Sequence, residues 1–230
     1  MIRVPADQRF LRRFHIALGL ANTGVLAVFA LVRAGVLRPG AIRIRELDPA
    51  IQFDLSAEGG TAALWYSSAL FLLLAVAALF AYWSDGGRPA LPAMKWRWLR
   101  FGWLLLAAIG LFLSFDEPSQ FHEGIGFLVG LGGLARIPRL TDYSPQFVWV
   151  ILFRPPMLLC ATTLVGFFLY WLRTVPRARL LGARGIVLWA TVPALEFAES
   201  RLLRTFGEHG AFAEQYVEES VELLGATLLV

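Results

Sequence analysis

Ala62–Trp83, AALWYSSALFLLLAVAALFAYW, runs for twenty-two residues without a charge. A helix rises ~1.5 Å per residue, so such a stretch is ~33 Å long and matches the ~30 Å hydrocarbon core of a bilayer. Five further segments read the same way: Phe14–Leu37, Trp98–Phe115, Phe147–Leu172, Leu181–Ala198 and Phe212–Val230. The fifth carries Arg184 near its start and Pro193 inside. The whole chain, residues 1–230, therefore reads as a single integral membrane domain, an all-α polytopic bundle of about six transmembrane helices.

Composition agrees. Of the 230 residues 57% are hydrophobic and only 17% charged, a smaller charged fraction than soluble domains carry. The longest polar stretch, Arg38–Thr61, is too short for a separate soluble domain. Arg3, Arg9, Arg12 and Arg13 precede the first apolar segment as in a signal peptide, but that segment is longer than a signal core and more spans follow, which favours a retained first helix. The single cysteine, Cys160, lies within the fourth span and excludes an intramolecular disulfide and CxxC chemistry.

Charge placement sets the orientation. With the N-terminus in the cytoplasm, the inner segments hold twelve of the twenty-one Lys and Arg residues and only two acids, Asp7 and Asp85. The other fifteen of the seventeen acids fall on the outer side. This is the positive-inside pattern, N-in and C-in. Trp65, Tyr66, Trp83, Trp96, Trp98, Trp149 and Trp171 lie near span ends, as an interfacial aromatic belt requires. The lipid bilayer is the evident partner and another membrane protein a second one. No basic-aromatic pattern points to nucleic acid. Gly124–Ala135, apolar and rich in glycine, is too short to span and suits a re-entrant or interfacial segment; its spacing matches no phosphate-binding loop.

The candidate functional residues are the outer acids, because carboxylates near hydrocarbon are expensive to keep. In the last helix Glu214, Glu218 and Glu222 form one stripe at 100° per residue, with Glu219 pointing elsewhere. Helix-dipole stabilisation covers Glu214, in the first turn, but fades before Glu222. At the end of the third span stand Asp116-Glu117 and His122-Glu123. Asp116 could cap a new helix begun by Pro118, or the helix could continue through Pro118; the second pair is not explained by capping. Glu196 and Glu199 close the fifth span, with Arg201 and Arg204 able to neutralise them, and Glu208-His209 follow.

Acids sharing a low-dielectric site need protons, an opposing cation or a metal. Arg154, with Arg136 and Arg139 beyond it, lies at the right depth to be the counter-charge of a structural Arg–carboxylate network in an accessory or scaffold subunit. Alternatively, Asp116, His122, Glu123 and Glu222 would be ligands of a divalent metal (Zn, Mn, Fe, Ca or Mg), with Glu117 or Glu218 as general base of a hydrolase or transferase acting on a lipid-like substrate. A cation or proton transporter is a third reading, but it needs polar residues along the inner halves of the spans, where Asn22 and Thr23 stand almost alone. Ser67, Ser68, Ser114 and Ser119 sit in no nucleophile elbow and suit helix packing.

Leu113-Ser114-Phe115-Asp116-Glu117 with His122-Glu123 resembles a motif of uncharacterised bacterial multi-pass inner-membrane proteins. Asp54-Leu55-Ser56-Ala57-Glu58-Gly59 with Trp65-Tyr66-Ser67-Ser68 resembles a second, and Glu218-Glu219 with Glu222 and Gly225 a third. The resemblance implies a bacterial inner (plasma) membrane location and about six spans, with a last helix running further than Val230. It implies no activity.

Overall fold

The computed structural model describes residues 8–34, 36, 62–84, 93–119, 121–122, 124–125, 128, 148–173, 175–206 and 208–230. Six long helices carry the chain: α1 (Gln8–Arg33), α2 (Ala62–Ser84), α3 (Ala93–Ser119), α4 (Val148–Trp171), α5 (Pro176–Phe206) and α6 (Glu208–Leu229). No strand occurs among the described residues. Five of the helices, α1 to α5, contain windows long and apolar enough to cross a membrane. Helix α6 is 22 residues long, and its glutamates keep it out of that set. Packing shows it to be a full member of the bundle, since it lies against α5, α1 and α2. The protein is a multi-pass membrane helix bundle.

Most neighbours run antiparallel. The α5–α6 and α2–α3 hairpins are the closest pairs, and α4 attaches mainly to α5. Helix α6 runs antiparallel to α1: Phe29 stacks on Tyr216 at 6.4 Å, while Asn22 reaches Leu223 and Thr227. The start of α1 and the end of α6 thus share one end of the bundle, as expected for an even number of crossings. That end also receives Arg12, Arg13, Arg177 and Arg179. It is the basic end, and the opposite one, where α3 finishes and α6 begins, is the acidic end.

In hydrocarbon, helices are held by close packing and interhelical hydrogen bonds, since lipid tails are as apolar as the side chains. Both are visible here. At Gly110 an added Cβ would lie 3.0 Å from the Phe71 carbonyl oxygen, so α2 and α3 touch backbone to backbone. At Gly225 a Cβ would lie 2.7 Å from the Trp189 ring and 3.2 Å from the Gly185 carbonyl, which draws α5 onto α6. A large apolar core (Leu74, Ala78, Leu106, Ala107, Leu164, Phe167, Phe168, Trp171 and Ile186) fills the basic half between α2, α3, α4 and α5. A smaller cluster of Leu70, Phe71, Leu223 and Ala226 joins α2 to α6. Leu72, Val76, Phe112, Phe115, Leu159 and Val187 face outward, as lipid-facing residues should.

Four helices differ by several residues from the sequence expectation, and one of the differences decides a chemical question. Helix α1 stops at Arg33, α5 starts earlier and ends later than Leu181–Ala198, at Pro176 and Phe206, and α6 begins at Glu208. Helix α3 likewise continues through Pro118 to Ser119, so Pro118 does not begin a new helix. A proline has no N–H to give the carbonyl four residues back, here that of Ser114. Ser68 of α2 supplies the missing donor: its Oγ lies 2.6 Å from the Ser114 carbonyl oxygen.

Ser68→Ala should therefore cost about 1–2 kcal/mol by orphaning a buried carbonyl. Adding Pro118→Ala restores an N–H at position 118 and should recover most of that loss. Reversible unfolding in bicelles measures both values; equal losses with and without Pro118→Ala would contradict the assignment.

Candidate functional site

The end of α3 is closed by a side chain. Asp116 is buried, and its Oδ1 accepts the backbone N–H of His122 at 2.9 Å. Its Oδ2 pairs with Nδ1 of the same histidine. Asp116 therefore folds the chain back after Ser119 and fixes the imidazole at both its backbone and its ring. In the neutral ring, an Nδ1–H donated to the carboxylate makes Nε2 the acceptor nitrogen.

The next residue looks across the bundle. The Glu117 carboxyl lies within hydrogen-bonding reach of that of Glu222 on α6. Such a bond needs a proton on one of the two groups, since two carboxylates offer only acceptors. His122 and Asp116 both act electrostatically on Glu222, and Glu219 acts on Glu117. One aspartate, one histidine and three glutamates, from the end of α3, the turn after it and α6, thus act electrostatically on one another at the acidic end. The Trp189 indole N–H holds the Glu222 backbone carbonyl at 3.1 Å and ties this stretch of α6 to α5.

Directly beneath lies a second polar layer. Asn22 Nδ2 donates to the Leu223 carbonyl at 3.1 Å and to Thr227 Oγ1 at 2.7 Å, and Tyr66 donates its hydroxyl to Asn22 Oδ1. Thr227 in turn donates to the Leu223 carbonyl at 2.9 Å. Asn22 thereby joins α1, α2 and α6 with its hydrogen-bonding capacity used. Ser67, 1% exposed, sits one turn before Phe71 on the α2 face that packs against α6. Its hydroxyl is buried with no partner among the described residues. Nearer the basic end the described helix interfaces become apolar. A cleft of about 260 Å³ there is lined by Ala77, Phe80, Ala81, Ser84, Trp103, Trp171 and Leu172.

The sequence expectations divide accordingly. Asp116, Glu117, His122 and Glu222 are brought together. Glu219, set aside as pointing off the stripe, acts on Glu117 and belongs to the group, because the face α6 turns toward α3 includes the i, i+3 pair Glu219 and Glu222. Glu218 is partly buried one turn further out. Tyr66 is no mere belt residue: it turns inward to Asn22. Glu123, Arg136, Arg139, Asp54–Gly59 and most of Gly124–Ala135 lie outside the described residues, as do the side chains of Glu196, Glu199, Glu208, His209 and Glu214.

Two expectations find no support among the described residues. Arg154 is at the foreseen depth but pairs with none of the described acids. Trp103 packs on Phe167, and the antiparallel count from that contact sets Asp116 level with Arg154. Yet Arg154 is exposed on α4 and forms no ion pair among the described residues. In that half most of its side chains are exposed. Nor is any group of three or more described His, Cys, Asp or Glu residues placed to hold a metal ion. Both Asp116 oxygens are engaged by His122, so Asp116 orients that ring.

Only the acids and His122 could be found from sequence. Asn22, Tyr66, Ser68 and Trp189 carry no pattern of their own, and their roles depend on which helices become neighbours.

A model of a protein family matches residues 12–230, nearly the whole chain; its description is Domain of unknown function (DUF8692). No curated protein and no solved structure matches the chain.

Proposed function

The chain belongs to this DUF8692 family, and we propose that it is a bacterial inner-membrane protein doing acid–base chemistry on a lipid or lipid-linked substrate. The reaction is a hydrolysis or group transfer, and the acidic end faces the periplasm. The basic loops at the opposite end support that orientation. The observation that carries the reading is the Asp116–His122 dyad beside the Glu117–Glu222 pair. An aspartate that fixes Nδ1 leaves Nε2 to take a proton from an attacking water or alcohol, and a carboxyl pair sharing one proton can return it to the leaving oxygen. Two titratable groups held in different environments are what general acid–base work needs.

The depth of the site favours a substrate reaching it from one leaflet. The described apolar packing toward the basic end gives less support to a proton or cation path across the membrane. A divalent metal is also a weaker fit. Asp116 would serve it only by orienting His122, and element-resolved analysis of the purified protein is the check on that version.

One observation favours a second reading, a non-enzymatic accessory subunit: the bond from Asp116 to the His122 backbone closes the turn after α3, which is structural work. A single experiment separates the two. Purified protein is incubated with membrane lipid extract, and the products are followed by mass spectrometry. The enzyme reading expects a lipid species to be consumed, with the rate falling ~10²-fold or more in His122→Ala and Glu117→Gln while the unfolding temperature stays close to wild type. No lipid change with wild type, together with a large stability loss in His122→Ala, overturns it in favour of the accessory subunit.

A further inference from the structure

Helix α4 packs well only at one end. Gly102 lies under the Phe167 ring, Trp103 meets Phe167 and Phe168 edge-on at 5.0 and 5.9 Å, and Gly182 lies under Phe168. All these contacts are in the basic half. In the acidic half, residues 153–160, five of eight side chains are exposed, and none belongs to a core cluster. Arg154 is among the exposed five, level with Asp116 on neighbouring α3.

Two further features place this stretch of α4 at the membrane surface. Arg154 stands six residues into the helix, which opens at Val148, near enough to the outer end for its long side chain to reach the headgroups. Pro155 and Pro156 lie inside the helix and deprive the Ile151 and Leu152 carbonyls of their i+4 donors. Free carbonyls are tolerated where headgroups and water reach them, and not in hydrocarbon. A guanidinium at that depth, without an acid against it among the described residues, is a planar fork of donors matched to a phosphate.

We propose that Arg154 binds the phosphate of an anionic phospholipid headgroup, whose acyl chains lie along the exposed half of α4, on the side of the bundle that carries the Asp116–Glu222 site. This deepens the acid–base reading and rests on it only for the statement that the bound lipid is substrate. Charge complementarity selects this occupant over a second copy of the chain, whose Arg154 would repel its own counterpart.

The test is native mass spectrometry of the full chain in detergent, titrated with phosphatidylglycerol or with diacylglycerol of the same chains. Wild type should hold one phosphatidylglycerol, and Arg154→Gln should need about tenfold more lipid for the same occupancy. Arg154→Lys, which keeps a point charge but loses the fork, should fall between. Diacylglycerol binding should be the same in all three proteins.

Equal phosphatidylglycerol affinity in wild type and Arg154→Gln overturns the proposal. So does a dimer that dissociates in Arg154→Gln, or displacement of the lipid by millimolar inorganic phosphate. Lipid bound through Arg154 without turnover would sink the acid–base reading and leave this one standing. Turnover unaffected by Arg154→Gln would overturn the statement that the lipid bound there is the substrate.

Discussion

Glu117→Leu and Glu222→Leu should each destabilise the bundle by about 1–3 kcal/mol, because each leaves the opposite carboxyl buried without its partner. The double variant should cost clearly less than the two losses added together. Removing both groups removes the polar burden along with the bond, so the coupling should reach roughly 1–3 kcal/mol. Glu117→Gln should be milder than Glu117→Leu, since an amide N–H can donate to the Glu222 carboxylate in place of the shared proton. Reversible unfolding in bicelles supplies all four corners of the cycle. Additive losses would mean that the two carboxyls do not meet, and the site would dissolve into two separate surface acids.

Gly225→Leu should have the largest effect of any single substitution away from the acids, about 3 kcal/mol. A Cβ at this position already comes within 2.7 Å of Trp189 and 3.2 Å of the Gly185 carbonyl, where backbone cannot yield. Separating α5 from α6 also breaks the bond from Trp189 to the Glu222 carbonyl and moves the acidic stretch of α6 away from α3. Gly19→Leu is the matched control: a Cβ placed there would meet nothing within 4 Å, and the change should cost under ~0.5 kcal/mol. Comparable losses at both positions would argue against close α5–α6 packing.

The apolar runs made the helices plain from the sequence, because hydrocarbon permits few alternatives to a helix once a run of ~20 residues must cross it. Their ends were less plain. Pro118 could equally have begun a new helix, and it proved to lie inside α3, since a neighbouring residue such as Ser68 can satisfy the carbonyl a proline leaves bare. The acids at the end of α3 and on α6 were legible as costly groups needing a reason. Which of them meet was not. That depends on helix rotation, and a modest turn of α6 about its axis separates the stripe Glu218–Glu222 from the pair Glu219–Glu222 that faces Glu117.

Arg154 shows the same limit from the other side. Depth along a span can be counted in residues, but whether a side chain faces its neighbours or the lipid depends on how its helix leans. Asn22 and Tyr66 were each visible as a polar residue in an apolar context, and nothing in the sequence joined them across more than forty positions.

The most direct test of the site is a cysteine pair, Glu117→Cys with Glu222→Cys, in a Cys160→Ala background. Intact cells are treated with a membrane-impermeant oxidant, and inside-out vesicles are treated in parallel. If α3 and α6 meet at an end that faces the periplasm, as proposed, a disulfide between them forms in intact cells and far more slowly in inside-out vesicles. A pair that fails to cross-link from either side, or that cross-links only from the cytoplasmic side, would contradict it.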